Sequence, residues 1–477
     1  MDRTEDTLYL RIADQLASSI RAGTLARGER IASVRELARQ QGVSMSTVVQ
    51  AYRTLEDARL IEARPRSGYF VAARSTRRPP EPETTPLPPQ SQTVSVSSMG
   101  SRVFSMAVDP GFISFGAATP GDELFPYERI RRAIGRAAQR NRATLSRYPL
   151  GSGTPELRRA IARQALSMGC QLDLRDILVT NSCLESVSLC LHAVTKPGDV
   201  VALESPTYFG FLEILESMHL RALEIPTHPR HGLSVDALSL AFDTQPVKAV
   251  LAVPTLSNPL GSSMPLAERR RLAQLVAQRG VPLIEDVLYN PLCEHDEQRR
   301  AVRSYDATGH VMLCGSFSKT LAPGLRVGYV DAGGWTAQVQ RLRHVYSGSY
   351  TEVLEQAMAD LLMQPGLESA FRSLRSAVAQ RVDEARGLIA ESFPKGTRVT
   401  DPPGGFLLWV ELPAGSDSMA LFEACLRERI VFAPGTMFSS TGRYRHCLRL
   451  GVVGRWDDAQ RRALRRIGEL ARELRPA

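Results

Sequence analysis

Lysine is rare in this chain of 477 residues. Four lysines (Lys196, Lys248, Lys319 and Lys395) stand among 59 basic residues, and the rest are arginine. Arginine keeps its proton essentially always, whereas a lysine amine can lose it and attack a carbonyl. Lys319 lies in GSFSKTLAPGLRVGY, residues 315–329, a loop of small residues after an apolar run. Ser316 and Ser318 offer two hydroxyl donors there, and Arg326 offers a bidentate cation. Together they are the parts of a phosphate site. Gly324 and Gly328 let backbone approach closely. A surface loop with an ordinary lysine would carry the same letters, so the partners must be sought elsewhere.

An amine beside a phosphate site suits pyridoxal 5'-phosphate (PLP) held as a Schiff base, and that cofactor makes further demands. Its pyridine nitrogen needs a carboxylate. VPLIED, residues 281–286, is an apolar strand ending in Asp286, where ligands of open α/β sheets bind. Tyr289 could hydrogen-bond the ring's phenolic oxygen, and Asn258, past another strand end, could share it. A second phosphate anchor is expected at a helix N-terminus, and Ser182 and Cys183 open one after a strand. Tyr208, after the next strand, supplies a ring to stack on the pyridine. Each residue alone has a duller use: Asp286 as a helix cap, Tyr208 and Tyr289 as packing. Their occurrence together, each at a strand end, favours the site.

These residues need a scaffold. Apolar runs at Ile177–Thr180, Val200–Glu204, Ala249–Pro254, Val281–Asp286, Val311–Ser316 and Val327–Asp331 alternate with helical stretches. That pattern predicts a mixed, mostly parallel sheet covered on both faces over residues 108–477. Residues 75–107 are rich in proline, serine and threonine and read as a partly extended linker. Residues 1–74 read as three helices and a two-stranded ribbon. Leu8, Ile12, Leu16 and Ile20 mark the first helix. Ser33 with Glu36 has capping-box spacing for the second, and Ser44 caps the third.

A helix-turn-helix with a basic wing would bind double-stranded DNA, with Ser44, Ser46 and Thr47 at the major groove. Ser33, Arg35, Arg64 and Arg66 would sit near phosphates, and Gly68 would bring the wing close. A small protein-docking module fits the same outline. Residues 1–78 hold 14 Arg against 9 Asp or Glu, which suits a polyanion partner, although arginine-rich coding would also give it. No apolar stretch is long enough to span a membrane, and no signal-peptide core opens the chain. The seven cysteines and eight histidines form no metal-ligand spacing. The thiols read as reduced, in a cytoplasmic protein.

GERIASVRELARQQGVSMSTVVQAYRTLEDARLIEARPRSGYFV resembles the GntR-type winged helix. It departs at Ala32, where that family has proline, and at Met45, where it often has an arginine used on DNA. LSRYPLGSGTPELRRAIA, ILVTNSCLESV, DVVALESPTYFG, SNPLG, PLIEDVLY, SFSKTLAPGLRVGY, PPGGFLLWVELP and CLRLGVV resemble a fold-type I, aspartate-aminotransferase-like domain. Ser182 and Leu184 depart from its usual glycine and glutamine. The two together resemble the MocR subfamily of bacterial transcription regulators.

The resemblance implies roles. Lys319 would form the internal aldimine, Asp286 would pair with the pyridinium, and Tyr289 and Asn258 would hold the ring oxygen. Tyr208 would stack. Ser182, Cys183, Ser316, Ser318 and Arg326 would hold the phosphate, with Tyr148 reaching the neighbouring subunit's cofactor. Arg449 would grip an α-carboxylate; a surface arginine on an edge strand is the alternative. The implied protein is a homodimer, head-to-tail, that senses PLP or an amino compound through Lys319 and regulates transcription. A working aminotransferase with an accessory N-terminal module is the rival, and a PLP-free scaffold a third.

Overall fold

The apolar spacing at the start of the chain winds into helix α1 (Glu5–Arg21) in the computed structural model, with Ile12, Ala13 and Ala17 turned inward. The structure describes residues 5–21, 24–26, 28–57, 60–64, 67–71, 78–84, 90–95, 99–140, 142–146 and 148–474. Helix α2 (Val34–Gln41) begins where the capping box predicts: Ser33 Oγ accepts the Glu36 N–H at 3.3 Å. Gly42, at φ 64°, ends it in the left-handed region. Helix α3 (Met45–Asp57) buries Val48, Ala51, Tyr52 and Leu55. Strands β1 (Ile61–Arg64) and β2 (Gly68–Val71) pair antiparallel as the expected wing. Arg66, expected at its tip, lies outside the described residues.

Tyr52 ties helix to wing. Its hydroxyl donates to the Ala32 carbonyl at 2.6 Å, and its ring meets Tyr69 at 4.7 Å. Tyr52→Phe leaves that carbonyl without its donor. The expected cost is about 1 kcal/mol, read as a lower midpoint for the unfolding of residues 1–77.

The chain divides into two compact units, Met1–Arg77 and Arg78–Ala477. The second is built on a nine-stranded sheet holding all six strands expected from apolar runs. Strands Arg221–His228, Val200–Ser205, Val247–Ala252, Leu283–Asp286 and Val311–Ser316 lie side by side and parallel. Gly328–Asp331 runs antiparallel to both Val311–Ser316 and Ile177–Thr180. Thr180, Ser205, Asp286 and Ser316 therefore end their strands on one edge of the sheet, where Gly328 begins its own. Arg221–His228 escapes sequence reading because RALEIPTH mixes charge and proline with its apolar residues. A four-stranded sheet follows, with Cys447–Gly451 between Leu407–Glu411 and Ala433–Pro434.

The segment expected as linker, 75–107, differs. Its described parts belong to the second unit. The Pro80 carbonyl accepts the Val399 N–H at 2.9 Å, and Glu81 and Glu83 pair with Arg230 and Arg398 at 2.9 and 2.6 Å. Gln92–Thr93 joins the edge of the large sheet, and Met99–Ala107 is a helix. Few apolar residues lie in this stretch, yet Val94 and Val103 are buried in a core that distant segments complete. Composition within a window cannot see that.

Candidate functional site

The edge shared by the strand ends carries the predicted residues. Lys319 lies in the loop after Val311–Ser316, half-buried, and its Nζ donates to Thr119 Oγ1 at 2.9 Å. Burial, then Arg449 and Arg326, lower its pKa to about 8. Ser316 Oγ lies 3.1 Å from Ser318 Oγ and accepts the Ser318 N–H at 3.1 Å, which folds the loop back beside the lysine.

Asp286 is buried at the end of its strand. Its Oδ1 accepts the Leu288 N–H at 2.8 Å, and the Cys183 thiol hydrogen-bonds to it. Burial raises the carboxyl to about 6, against these hydrogen bonds and the positive Lys319, which lower it. Ser182 caps helix Cys183–Val194 through the Glu185 N–H, at 3.1 Å. Its hydroxyl is thereby engaged, and the Cys183 and Leu184 N–H groups, which make no hydrogen bond among the described residues, are the donors left at the helix start. Gly328 faces that start: a Cβ there would lie 2.5 Å from the Ser182 carbonyl carbon. Glycine thus lets strand and helix meet closely.

A second group of predicted residues is equally crowded. Tyr289 and Asn258 are buried and hydrogen-bonded to each other, and burial drives the Tyr289 hydroxyl far upward. Burial likewise lifts Tyr208 to about 12, while Arg449 pulls it down. Arg449 is 1 % exposed, on an inner strand of its sheet and not at an edge. Its Nη1 donates to Asn258 Oδ1 at 3.3 Å and its Nη2 to the Gly116 carbonyl, with Phe438 beneath it at 5.5 Å. Its Nε has no partner, and no carboxylate pairs with it among the described residues. A buried guanidinium without a counterion is costly, so this position suits an incoming anion.

Lys319, Asp286, Cys183, Tyr208, Tyr289, Asn258, Arg326 and Arg449 thus act on one another electrostatically in one place. Arg326 is exposed, at φ 51° in the left-handed region. Tyr148 is 87 % exposed. Sequence reading missed Thr119, Gly116 and Phe438: they follow strands of two residues, Ile113–Ser114 and Ala433–Pro434, too short to show as apolar runs. It also missed Glu204, whose buried carboxyl accepts the Val253 N–H at 2.8 Å and rises to about 8 through burial. The residues fit PLP: a depressed lysine amine, a buried acid, a helix start opposite a glycine, and an arginine with an unfilled donor.

The first unit brings Ser44, Ser46 and Thr47 together at the start of α3. Ser44 Oγ lies 2.7 Å from each of the other two hydroxyl oxygens. Ser33 is occupied as a cap, and Arg35 is exposed. Arg64 stacks on Phe70 at 4.4 Å and is held by Glu62 at 2.7 Å. Gly68 has φ 101°, and a Cβ there would sit 3.4 Å from Arg30 Nε.

Residues 113–467 match the aminotransferase class I and II family, and residues 8–71 match the bacterial regulatory proteins of the gntR family. These matches define the class: a GntR-type helix-turn-helix joined to a fold-type I aminotransferase domain. The chain is 37 % identical over 465 residues to the uncharacterized HTH-type transcriptional regulator YjiR of Escherichia coli, covering 97 % of this chain and 98 % of that one. It is 25 % identical to the probable rhizopine catabolism regulatory protein MocR of Rhizobium meliloti, over 91 % and 88 % of the two chains. It aligns with the crystal structure of LysN, an α-aminoadipate aminotransferase from Thermus thermophilus, at TM-score 0.69 and 26 % identity, over 78 % and 97 %. The chain belongs to the MocR-like HTH-type transcription regulators. No helix among its described residues is long and apolar enough to cross a membrane, and no group of three or more His, Cys, Asp or Glu there is placed to hold a metal ion.

Proposed function

We propose that this regulator binds PLP at Lys319 and changes its hold on DNA when an amino compound competes with that lysine. The supporting observation is the grouping of half-buried Lys319 with buried Asp286 and Arg449, a nucleophile, an acid and an anion-seeking cation, in which the latter two act electrostatically on the amine. When bound, PLP supplies an aldehyde that condenses with primary amines and a ring that withdraws electrons. Asp286 would hold a proton at the ring nitrogen. Tyr289 and Asn258 would orient the ring oxygen, and Tyr208 would cover the ring face. The helix start at Ser182–Cys183 would take the phosphate with Ser316, Ser318 and Arg326. Arg449 would select amino compounds that carry a carboxylate.

The assembly we propose is a cytoplasmic head-to-tail homodimer, in which the exposed Tyr148 of each subunit reaches its partner's phosphate site. The DNA-contacting set is Ser33, Arg35, Ser44, Ser46, Arg64, Arg66 and Gly68; Thr47, expected with them, is buried and instead engages the Ser44 hydroxyl. Operator binding by the full chain, with and without PLP and a panel of amino acids, tests the reading. Affinity should fall steeply with salt and shift when an amino acid joins PLP; affinity indifferent to both ligands would refute it. The rival reading, a working aminotransferase, draws on the intact Lys319, Asp286 and Arg449. Rapid steady-state transamination without salt-sensitive DNA binding would favour it.

A pH dependence follows. Only the neutral amine attacks an aldehyde, and Lys319 is held to about 8. Attachment of PLP should speed up about tenfold per pH unit below that value and level off above it. Stopped-flow absorbance checks this; a rate still climbing past about pH 10, the ordinary lysine range, would show an unperturbed amine.

A further inference from the structure

Helix α3 has two faces. Thr47, Val48, Ala51, Tyr52 and Leu55 are buried. The opposite stripe is Met45, Ser46, Val49, Gln50 and Arg53, spaced i, i+1, i+4, i+5 and i+8. Two of these five are apolar. Met45 is 56 % exposed, and Val49, though half-buried, is not among the residues packed on this unit's core. The polar atoms nearby are already used: Ser44 Oγ engages Ser46 and Thr47 and accepts the Thr47 N–H at 3.1 Å. The Gln50 side-chain amide makes no hydrogen bond among the described residues. The start of α3 therefore presents two methyl-bearing side chains one turn apart, and a free amide beside them. Arg35 and Arg39 on α2 and Arg53 on α3 are exposed as well.

In a helix-turn-helix, the N-terminal residues of the second helix meet base edges in the major groove. Thymine alone shows a methyl group there, and glutamine pairs with two atoms of adenine. We infer that Met45 and Val49 read thymine 5-methyl groups and that Gln50 reads an adjacent adenine. The half-site facing α3 is then rich in A·T pairs. The inference rests on the DNA-binding reading of the first unit and adds what sequence it prefers.

The test uses the full chain. Its preferred duplex is selected from a random pool, and each selected dT is then replaced by dU, which removes only the methyl. One or two positions per half-site should lose about fourfold in affinity each, the worth of one buried methyl. Met45→Ala or Val49→Ala should make the same replacement silent. Met45→Arg should shift selection to guanine at the position it faces. Neither valine nor methionine supports the core, so the variants fold. Selected half-sites dominated by G·C, or dU losses undiminished in both alanine variants, would overturn the inference while leaving DNA binding intact. Recovery of no preferred sequence, without salt-dependent binding, would overturn the DNA-binding reading and this inference with it.

Discussion

Lys319→Ala should leave the full chain without the visible absorbance it acquires with PLP. Borohydride reduction followed by peptide mass analysis should then find no pyridoxyl group on any lysine. The argument is one of environment. Lys196, Lys248 and Lys395 are exposed to solvent. Lys319 is drawn down to about 8, by burial and by two nearby guanidinium groups. An ordinary lysine near 10.4 is neutral in roughly one molecule in 2,500 at pH 7, and one at about 8 in roughly one in ten. That is a difference of about two orders of magnitude in competent nucleophile. The proposed phosphate anchors at Ser182, Cys183, Ser316, Ser318 and Arg326 remain in the variant, so weak binding of PLP should persist as quenching of protein fluorescence. Operator binding by the variant should no longer respond to amino acids. An unchanged spectrum, or a reduced adduct on Lys196, Lys248 or Lys395, would remove the basis of the proposed sensing.

The site was legible because its chemistry is tied to strand ends. Asp286, Ser316 and Ser182 follow short apolar runs, and such runs in an open sheet deliver their ends to one edge. Lys319 was visible as a lysine in a chain that prefers arginine. What stayed hidden depends on contacts between distant segments. Thr119 and Gly116 enter from a loop about 200 to 330 positions away from Lys319 and Arg449. The helix Met99–Ala107 looked like linker because it follows a run rich in proline, serine and threonine; Phe209 and Glu213 close over Gly100, where a Cβ would come within 2.9 and 2.5 Å of them. Arg449 showed its residue type but not its burial. An edge strand and an inner strand read alike when the neighbour, Ala433–Pro434, is two residues long.

Arg449→Met should weaken an amino acid effector by about 10- to 150-fold, the range of 1.5–3 kcal/mol for hydrogen bonds to a charged group. The guanidinium is buried with no acid beside it among the described residues, and burial lowers its hold on its proton. Its present partners are neutral: Asn258 Oδ1 and the Gly116 carbonyl. A carboxylate arriving beside the guanidinium would complete Nε and supply the missing charge, with the fork geometry that arginine offers and lysine does not. Methionine keeps much of the length and the contact with Phe438, so the position should stay filled. Two comparisons isolate the carboxylate. PLP should still attach to the variant and reach the same final absorbance, only more slowly near pH 7, because one of the guanidinium groups that lower the Lys319 amine is gone. An amine of the same side chain but without the carboxylate should bind parent and variant alike, because it never used the arginine. Arg449→Lys should fall between the two, keeping the charge and losing the fork. If the amine lost as much affinity as the amino acid, Arg449 would be holding Asn258 and Tyr289 in place, not meeting the effector.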